Sequence, residues 1–181
     1  DDMLSAAACE DLLDGGGAKD TASYASATAA VTVSLITALA QNTGGAGTDT
    51  LDSIENFDGS RFGDTVFSDA GKNKIRGLGG SDVLWASFGK DVLSGGGGTD
   101  TVTFDAVAAG VSVNLSLGAY QATVGLDEIK FNGVENLTGS DFRDTLVGGA
   151  DDNVLQGGLE NDSITGGLGG RTLARGGGRG E

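Results

Sequence analysis

Aspartate recurs along this chain at intervals of nine. Counting back from Asp100 meets Asp91, Asp82, Asn73 and Asp64. Two residues past each lies an aliphatic side chain: Val102, Leu93, Leu84, Ile75 and Val66. Before each lies a glycine-rich run, most complete at Gly95-Gly96-Gly97-Gly98-Thr99-Asp100-Thr101-Val102-Thr103. A carboxylate beside turn carbonyls that glycine lets point inward is a donor set for a hard cation such as calcium, which takes roughly six to eight oxygens. One such turn cannot complete that sphere, so two turns must share an ion.

The elements that position these donors follow from the same unit. Its last three residues, with the aliphatic one in the middle, predict a short strand with that side chain facing inward. Two nonamers then make one coil of 18 residues with a turn on each side. Nonamer blocks occupy 1–23, 59–103 and 139–181. The first carries Asp2, Asp11 and Asp20 in its slots; the last carries Asp144, Asn153, Asp162, Arg171 and Gly180, with Leu146, Leu155, Ile164 and Leu173 in the aliphatic slots.

Two spacers, 24–58 and 104–138, separate the blocks, each 35 residues long. The chain aligns with itself without gaps at a shift of 80, and about a third of the overlapping positions are identical, a sign of an internal repeat. Tyr24 falls on Phe104, Val31, Val33 and Leu35 fall on Val111, Val113 and Leu115, and Glu55-Asn56 falls on Glu135-Asn136. The alternation of apolar and polar residues at 31–35 and 111–115 predicts strands. Because 35 is close to two 18-residue coils, the spacers are expected to continue the solenoid without calcium. Glu55-Asn56 and Glu135-Asn136 are expected to serve turn and ladder hydrogen bonding. The whole of 1–181 is read as one all-β solenoid, with very little helix.

Composition agrees. The chain has 34 glycines, and they fall in register as turn positions. Only ten residues are aromatic, which fits a thin core of stacked aliphatics better than a layered one. The net charge of −15 disfavours nucleic acid and anionic membrane surfaces and favours a polyvalent cation. There is no histidine, which removes zinc proteases of the HExxH type and Ser-His-Asp and Cys-His hydrolases. Neither a G-x-S-x-G elbow nor a Walker A loop is present. The single cysteine, Cys9, permits no intrachain disulfide. No segment is long and apolar enough to span a membrane, and residues 1–20 lack the pattern of a cleavable signal peptide. The chain opens inside a repeat, as a piece of something longer would. No catalytic residue is expected.

The G-G-x-G-x-D-x-U-x unit resembles the calcium-binding nonapeptide of the repeats-in-toxin (RTX) family, and the spacers resemble those of serralysin-type C-terminal modules. The resemblance covers essentially the whole chain. It implies a parallel β-roll, or β-helix, in which Ca²⁺ lies between nonamers n and n+2 on one side. Under that rule Asp64, Asp82 and Asp100 form one column with two sites, and Asn73 and Asp91 form a weaker site opposite. Asp144 pairs with Asp162 and Asp2 with Asp20, Asp11 lacks a same-side partner, and Arg171 spoils the site opposite Asn153. The carbonyls of Gly77, Gly79, Gly80, Gly95, Gly97 and Gly98 are the expected helpers. The resemblance further implies a secreted, extracellular bacterial module that leaves the cell by type I secretion and folds on meeting calcium in a structural role. Two alternatives stand beside it: an adhesive or surface-layer component, whose partners would be other copies or surface polysaccharide, and an accessory domain of a protease, lipase or epimerase. Ala6-Ala7-Ala8-Cys9-Glu10 and Ala86-Ser87-Phe88 depart from the glycine pattern, Trp85 and Phe88 are read as an edge cover, and the stretch from Arg171 to Glu181 is expected to fray.

Overall fold

In the computed structural model every described aliphatic slot of the central block lies in a strand and is buried: Val66, Ile75, Leu84, Leu93 and Val102 are all within 1 % of complete burial. The structure describes residues 1–123, 126–169 and, as backbone, the strand Thr172–Gly176. Among the described residues there is no helix. Most strands are three residues long, such as Thr65–Phe67 and Val83–Trp85, with only the middle side chain turned fully inward. That is the x-U-x triplet of the nonamer, and its brevity follows from the glycine turns on either side.

Four sheets are built from these strands. Sheet 1 holds Leu12–Asp14, Gly47–Asp52 and Gln41–Gly44. Sheet 2 holds Met3–Ser5, Thr21–Ser23, Asn56–Asp58, Lys74–Gly79, Lys90–Gly97, Glu128–Asn132 and Gln121–Ala122. Sheet 3 starts at Thr32–Ser34 and runs through Thr65–Phe67, Val83–Trp85, Thr101–Thr103, Asn136–Thr138, Asn153–Gly158 and Thr172–Gly176. Sheet 4 holds Ser112–Asn114, Thr145–Val147 and Ser163–Thr165. Within a block the pairing is parallel with a step of 18, as Val66 beside Leu84 and Leu84 beside Val102. The chain alternates between sheets 1 and 2 in the first block, 2 and 3 in the second, and 3 and 4 in the third.

The spacers continue the solenoid, but not as two ordinary coils. Each is one widened coil carrying three strand positions and an antiparallel hairpin. In the first spacer Thr32–Ser34 founds sheet 3, Gly47–Asp52 adds the last parallel strand of sheet 1, and Asn56–Asp58 carries sheet 2 onward. Gln41–Gly44 folds antiparallel on Gly47–Asp52 and covers the closing edge of sheet 1. In the second spacer Ser112–Asn114 founds sheet 4, Glu128–Asn132 ends the parallel run of sheet 2, and Asn136–Thr138 carries sheet 3 onward. There Gln121–Ala122 covers the closing edge. The expectation of two 18-residue coils fails because the pairing steps across a spacer are 33, 35 and 38, none a multiple of nine.

A wider coil needs larger side chains to fill it, since interiors pack without voids. Tyr24 stacks on Phe57 at 5.5 Å between ring centres, and Phe104 meets Phe131 edge-on at 6.4 Å. Tyr24, Phe57 and Phe104 are wholly buried. Trp85 lies against Phe67 at 5.0 Å, where an exposed Phe88 helps line a shallow cavity with Ile36.

A new sheet begins with an unpaired edge, and each spacer supplies a glutamine to cover it. The Gln41 side chain accepts from the Ser34 amide at 2.7 Å and donates to the Ser34 carbonyl at 2.9 Å. Gln121 does the same to Asn114, at 2.8 and 3.0 Å. A side-chain amide thereby stands in for the backbone of a neighbouring strand and blunts the edge. Gln121→Ala is expected to destabilise the calcium-loaded protein by about 1–3 kcal/mol through loss of both bonds. Denaturant unfolding reads this, and an unchanged midpoint would show that the edge is protected some other way.

Candidate metal centre

Asp20, Asp82, Asp100 and Asp162 each sit at the end of a turn, immediately before a strand, and Asp91 one residue into its strand; the carboxylate of each bends back toward the preceding coil. Asp82 Oδ1 accepts the backbone amide of Asp64 at 2.7 Å, and Asp100 Oδ1 accepts that of Asp82 at 2.8 Å. On the other side Asp91 Oδ1 accepts from Asn73 at 2.9 Å, and in the first block Asp20 accepts from Asp2 at 2.5 Å. Asp162 accepts from Asp144 at 2.9 Å. A ladder of charge-assisted bonds thus ties every coil to the next.

The second oxygen is different. Asp20, Asp82, Asp91, Asp100 and Asp162 each leave Oδ2 buried with no hydrogen-bond partner. For Asp82 and Asp100 it points into the glycine turn of its own coil. A side chain at Gly77 would strike Asp82 Oδ2 and the Gly95 carbonyl, and one at Gly95 would strike Asp100 Oδ2 and the Gly133 carbonyl. Glycine is required there because the space faces an anionic oxygen and a carbonyl together. Gly80 and Gly98 also hold φ of +101° and +132°, a backbone state other residues rarely adopt. A buried carboxylate oxygen without a partner is costly unless a cation meets it. The residues therefore fit calcium. No three acidic side chains converge on one point among the described residues, so an ion here would draw on one carboxylate per turn and on turn carbonyls.

Asp64 and Asp144 stand apart. Asp64 Oδ2 accepts the Ser60 amide at 2.5 Å, and its Oδ1 accepts the Ser60 hydroxyl and the Val31 amide, both at 2.8 Å. Asp144 repeats this with Ser140 and Val111. Serine replaces the second glycine of the turn and satisfies the carboxylate without an ion. In Asn73 the amide donates to Glu55 O and to Asp69 Oδ1, while Oδ1 of Asn73 is buried and unpartnered.

The spacers extend the ladder with residues outside the nonamer count. Glu55 Oε2 accepts the Asp20 amide at 2.8 Å, and Glu135 Oε2 accepts that of Asp100 at 2.8 Å, so the expected ladder role of these two holds. Asp11 was expected to have no same-side partner, yet its amide donates to Asp49 Oδ1 at 3.1 Å. Asp49 is wholly buried and also takes the Thr43 hydroxyl at 2.9 Å. It lies 38 residues on, off the register of nine, and no periodic signal marks it. Arg171 and Gly180, and with them the expected fraying of the tail, lie outside the described residues.

The fold and this ladder define a parallel β-roll whose turns present buried, unpartnered carboxylate oxygens. Two stretches, residues 67–102 and 138–173, match the family model of the RTX calcium-binding nonapeptide repeat. These stretches are RTX repeats, and they lie within the parallel β-roll described above. A search of curated proteins finds no match.

Two predictions follow from the carboxylates. Asp82 accepts a bond from the coil before it and donates its amide to the coil after it, while its Oδ2 faces a turn. The Asp11 side chain serves only the exposed turn amide of Ala7. Asp82→Ala should therefore lower calcium stoichiometry by calorimetry, and Asp11→Ala should leave it nearly unchanged; equal losses would refute this placement of the ions. Burial pushes the Asp82 and Asp91 carboxyls up to about 7 from an ordinary 3.8. A folded-state pKa above the unfolded one stabilises the ion-free fold below about pH 4, and that contribution is lost as pH rises through about 7. Calcium holds the same groups ionised and so acts in the opposite sense. Metal-stripped protein should show more β signal by circular dichroism at pH 5 than at pH 8, and the reverse order would overturn the assignment.

Proposed function

We propose that this chain is a non-catalytic module of a secreted bacterial protein, exported unfolded through a type I channel and folded outside the cell by calcium. The supporting observation is the set of five buried carboxylate oxygens without partners, two of them, on Asp82 and Asp100, set beside glycine carbonyls. Without ions, burial and a net charge of −15 work against the compact roll. With ions, each orphaned oxygen gains a ligand bond, and binding to the folded state alone adds RT ln(1 + [L]/Kd) per site. Low calcium inside a cell and high calcium outside it would then set the folded fraction without any further signal.

The role in this reading is structural. The roll stiffens and supports whatever it is joined to, and without histidine it has no Ser-His-Asp or Cys-His arrangement. Among the described residues no helix is long and apolar enough to cross a membrane. Surface polysaccharide and further copies of the roll are the partners such a module would meet.

Calcium titration of metal-stripped protein followed by circular dichroism is the direct test. The β signal and the melting temperature should rise together, with an affinity of roughly 10⁻⁴ to 10⁻³ M as in extracellular modules. Identical spectra and melting temperatures with and without calcium would rule out ion-driven folding.

A further inference from the structure

The basic residues of this acidic chain are not scattered. All five lysines and Arg76 lie on the strands of sheet 2 or on the turns leading into them, against only eleven basic residues in the whole sequence. Lys19 precedes Thr21–Ser23, Lys72 precedes Lys74–Gly79, Lys90 opens Lys90–Gly97, and Lys130 lies in Glu128–Asn132. The alternation of each strand turns Ile75, Leu93 and Phe131 inward and the basic residues outward. Parallel register then aligns them. Asn56, Lys74, Val92 and Lys130 form one outward row across four strands, with Lys74 and Lys130 two rungs apart, roughly 10 Å.

A cleft of about 440 Å³ opens on this face, lined by Lys19, Lys72, Lys74, Arg76 and Tyr120 among others. Its acids are mostly spoken for. Asp58 is held by the Arg76 guanidinium, Asp1 Oδ1 accepts the Lys19 amide, and Glu128, outside the cleft, pairs with Lys90. Lys90 also sits 4.5 Å above the Tyr120 ring. Among the described residues no carboxylate lies within ion-pair distance of Lys19, Lys72, Lys74 or Lys130. Four ammonium groups, none ion-paired to a described carboxylate, on one sheet and the turns leading into it, in a chain carrying −15, make a site for an anion.

We propose that the outer face of sheet 2 binds a linear anionic polysaccharide, and that calcium loading of the turns enables it. The spread of the charges favours a polymer over a single small anion, because Lys74 and Lys130 stand two rungs apart, about 10 Å, too far for one small anion to meet both. The cleft suits a chain lying in it and not a flat bilayer. Amide and hydroxyl groups of Asn56 and Thr21 beside the ammonium groups, with the Tyr120 ring, match the mixed hydroxyl and acid chemistry of a charged sugar. Calcium matters through charge. Each divalent ion held at the orphaned carboxylates offsets two of the fifteen net negative charges, so the long-range repulsion of a polyanion falls and the basic face comes to dominate. By linkage, a bound polyanion must raise calcium affinity by the same factor. This coupling rests on the calcium-folded roll proposed above.

The test uses the full chain in saturating calcium, with oligoglucuronate and dextran sulfate as probes and neutral dextran as control. Both acidic probes should bind, neutral dextran should not, and added salt should weaken binding. The tighter of the two names the acid group. Lys74→Glu and Lys130→Glu should each weaken binding about tenfold or more, since a like charge then faces the ligand. Circular dichroism of the same variants in calcium reads the fold separately, so loss of the roll is distinguished from loss of the site. Unchanged binding by both variants would place the polymer on the calcium turns and overturn the proposal. So would binding to phosphatidylserine vesicles or polyglutamate with none to either acidic polysaccharide.

Discussion

One bond repeats through the whole molecule: a backbone amide at the start of a strand donates to the carboxylate one coil further on. It does two things at once. It fixes the register of neighbouring coils, and it spends only one of the two carboxylate oxygens. The other is left in a buried glycine turn, where it needs a cation. Fold and ion site are therefore a single device, and the strands can be as short as three residues because the turn, not the strand, carries much of the specification.

Much of this was legible. The register of nine located the inward aliphatic side chains, and burial of Leu84, Leu93 and Val102 follows from it. The shift of 80 identified the paired spacers and drew attention to Glu55 and Glu135. Their ladder role was expected, but the register of nine did not say which residue of the pair takes it: 36 residues past Asp20 lies Asn56, whereas the structure steps 35 and puts Glu55 there. Asp49 was invisible for a related reason, since a hairpin lengthens the step to 38. Its counterpart at a shift of 80 is Ile129, which cannot accept a hydrogen bond, so internal repetition gave no hint either. The self-sufficient carboxylates of Asp64 and Asp144 rest on the local turn at Ser60 and Ser140, whose amide takes Oδ2 and whose hydroxyl takes Oδ1, an arrangement that needs three dimensions.

Charge is distributed to match. Slot acids gather at the turns, and amines gather on the outside of one sheet and the turns leading into it, so the two signs do not simply cancel as neighbouring pairs. Arg76 with Asp58 and Lys90 with Glu128 are exceptions within the sheet. Segregation of this kind makes the outward character of the molecule depend on how many turns hold ions.

Because each spacer closes one sheet while another passes through it, neighbouring blocks overlap like bricks laid in running bond. Sheet 2 crosses the first joint and sheet 3 crosses the second. A crack travelling between two coils at either joint would have to tear a continuous hydrogen-bonded ladder, and cannot slip along a seam where both faces stop together. An array lengthened by whole 80-residue units would keep that property at every joint, so its tensile strength would not decline with the number of units added.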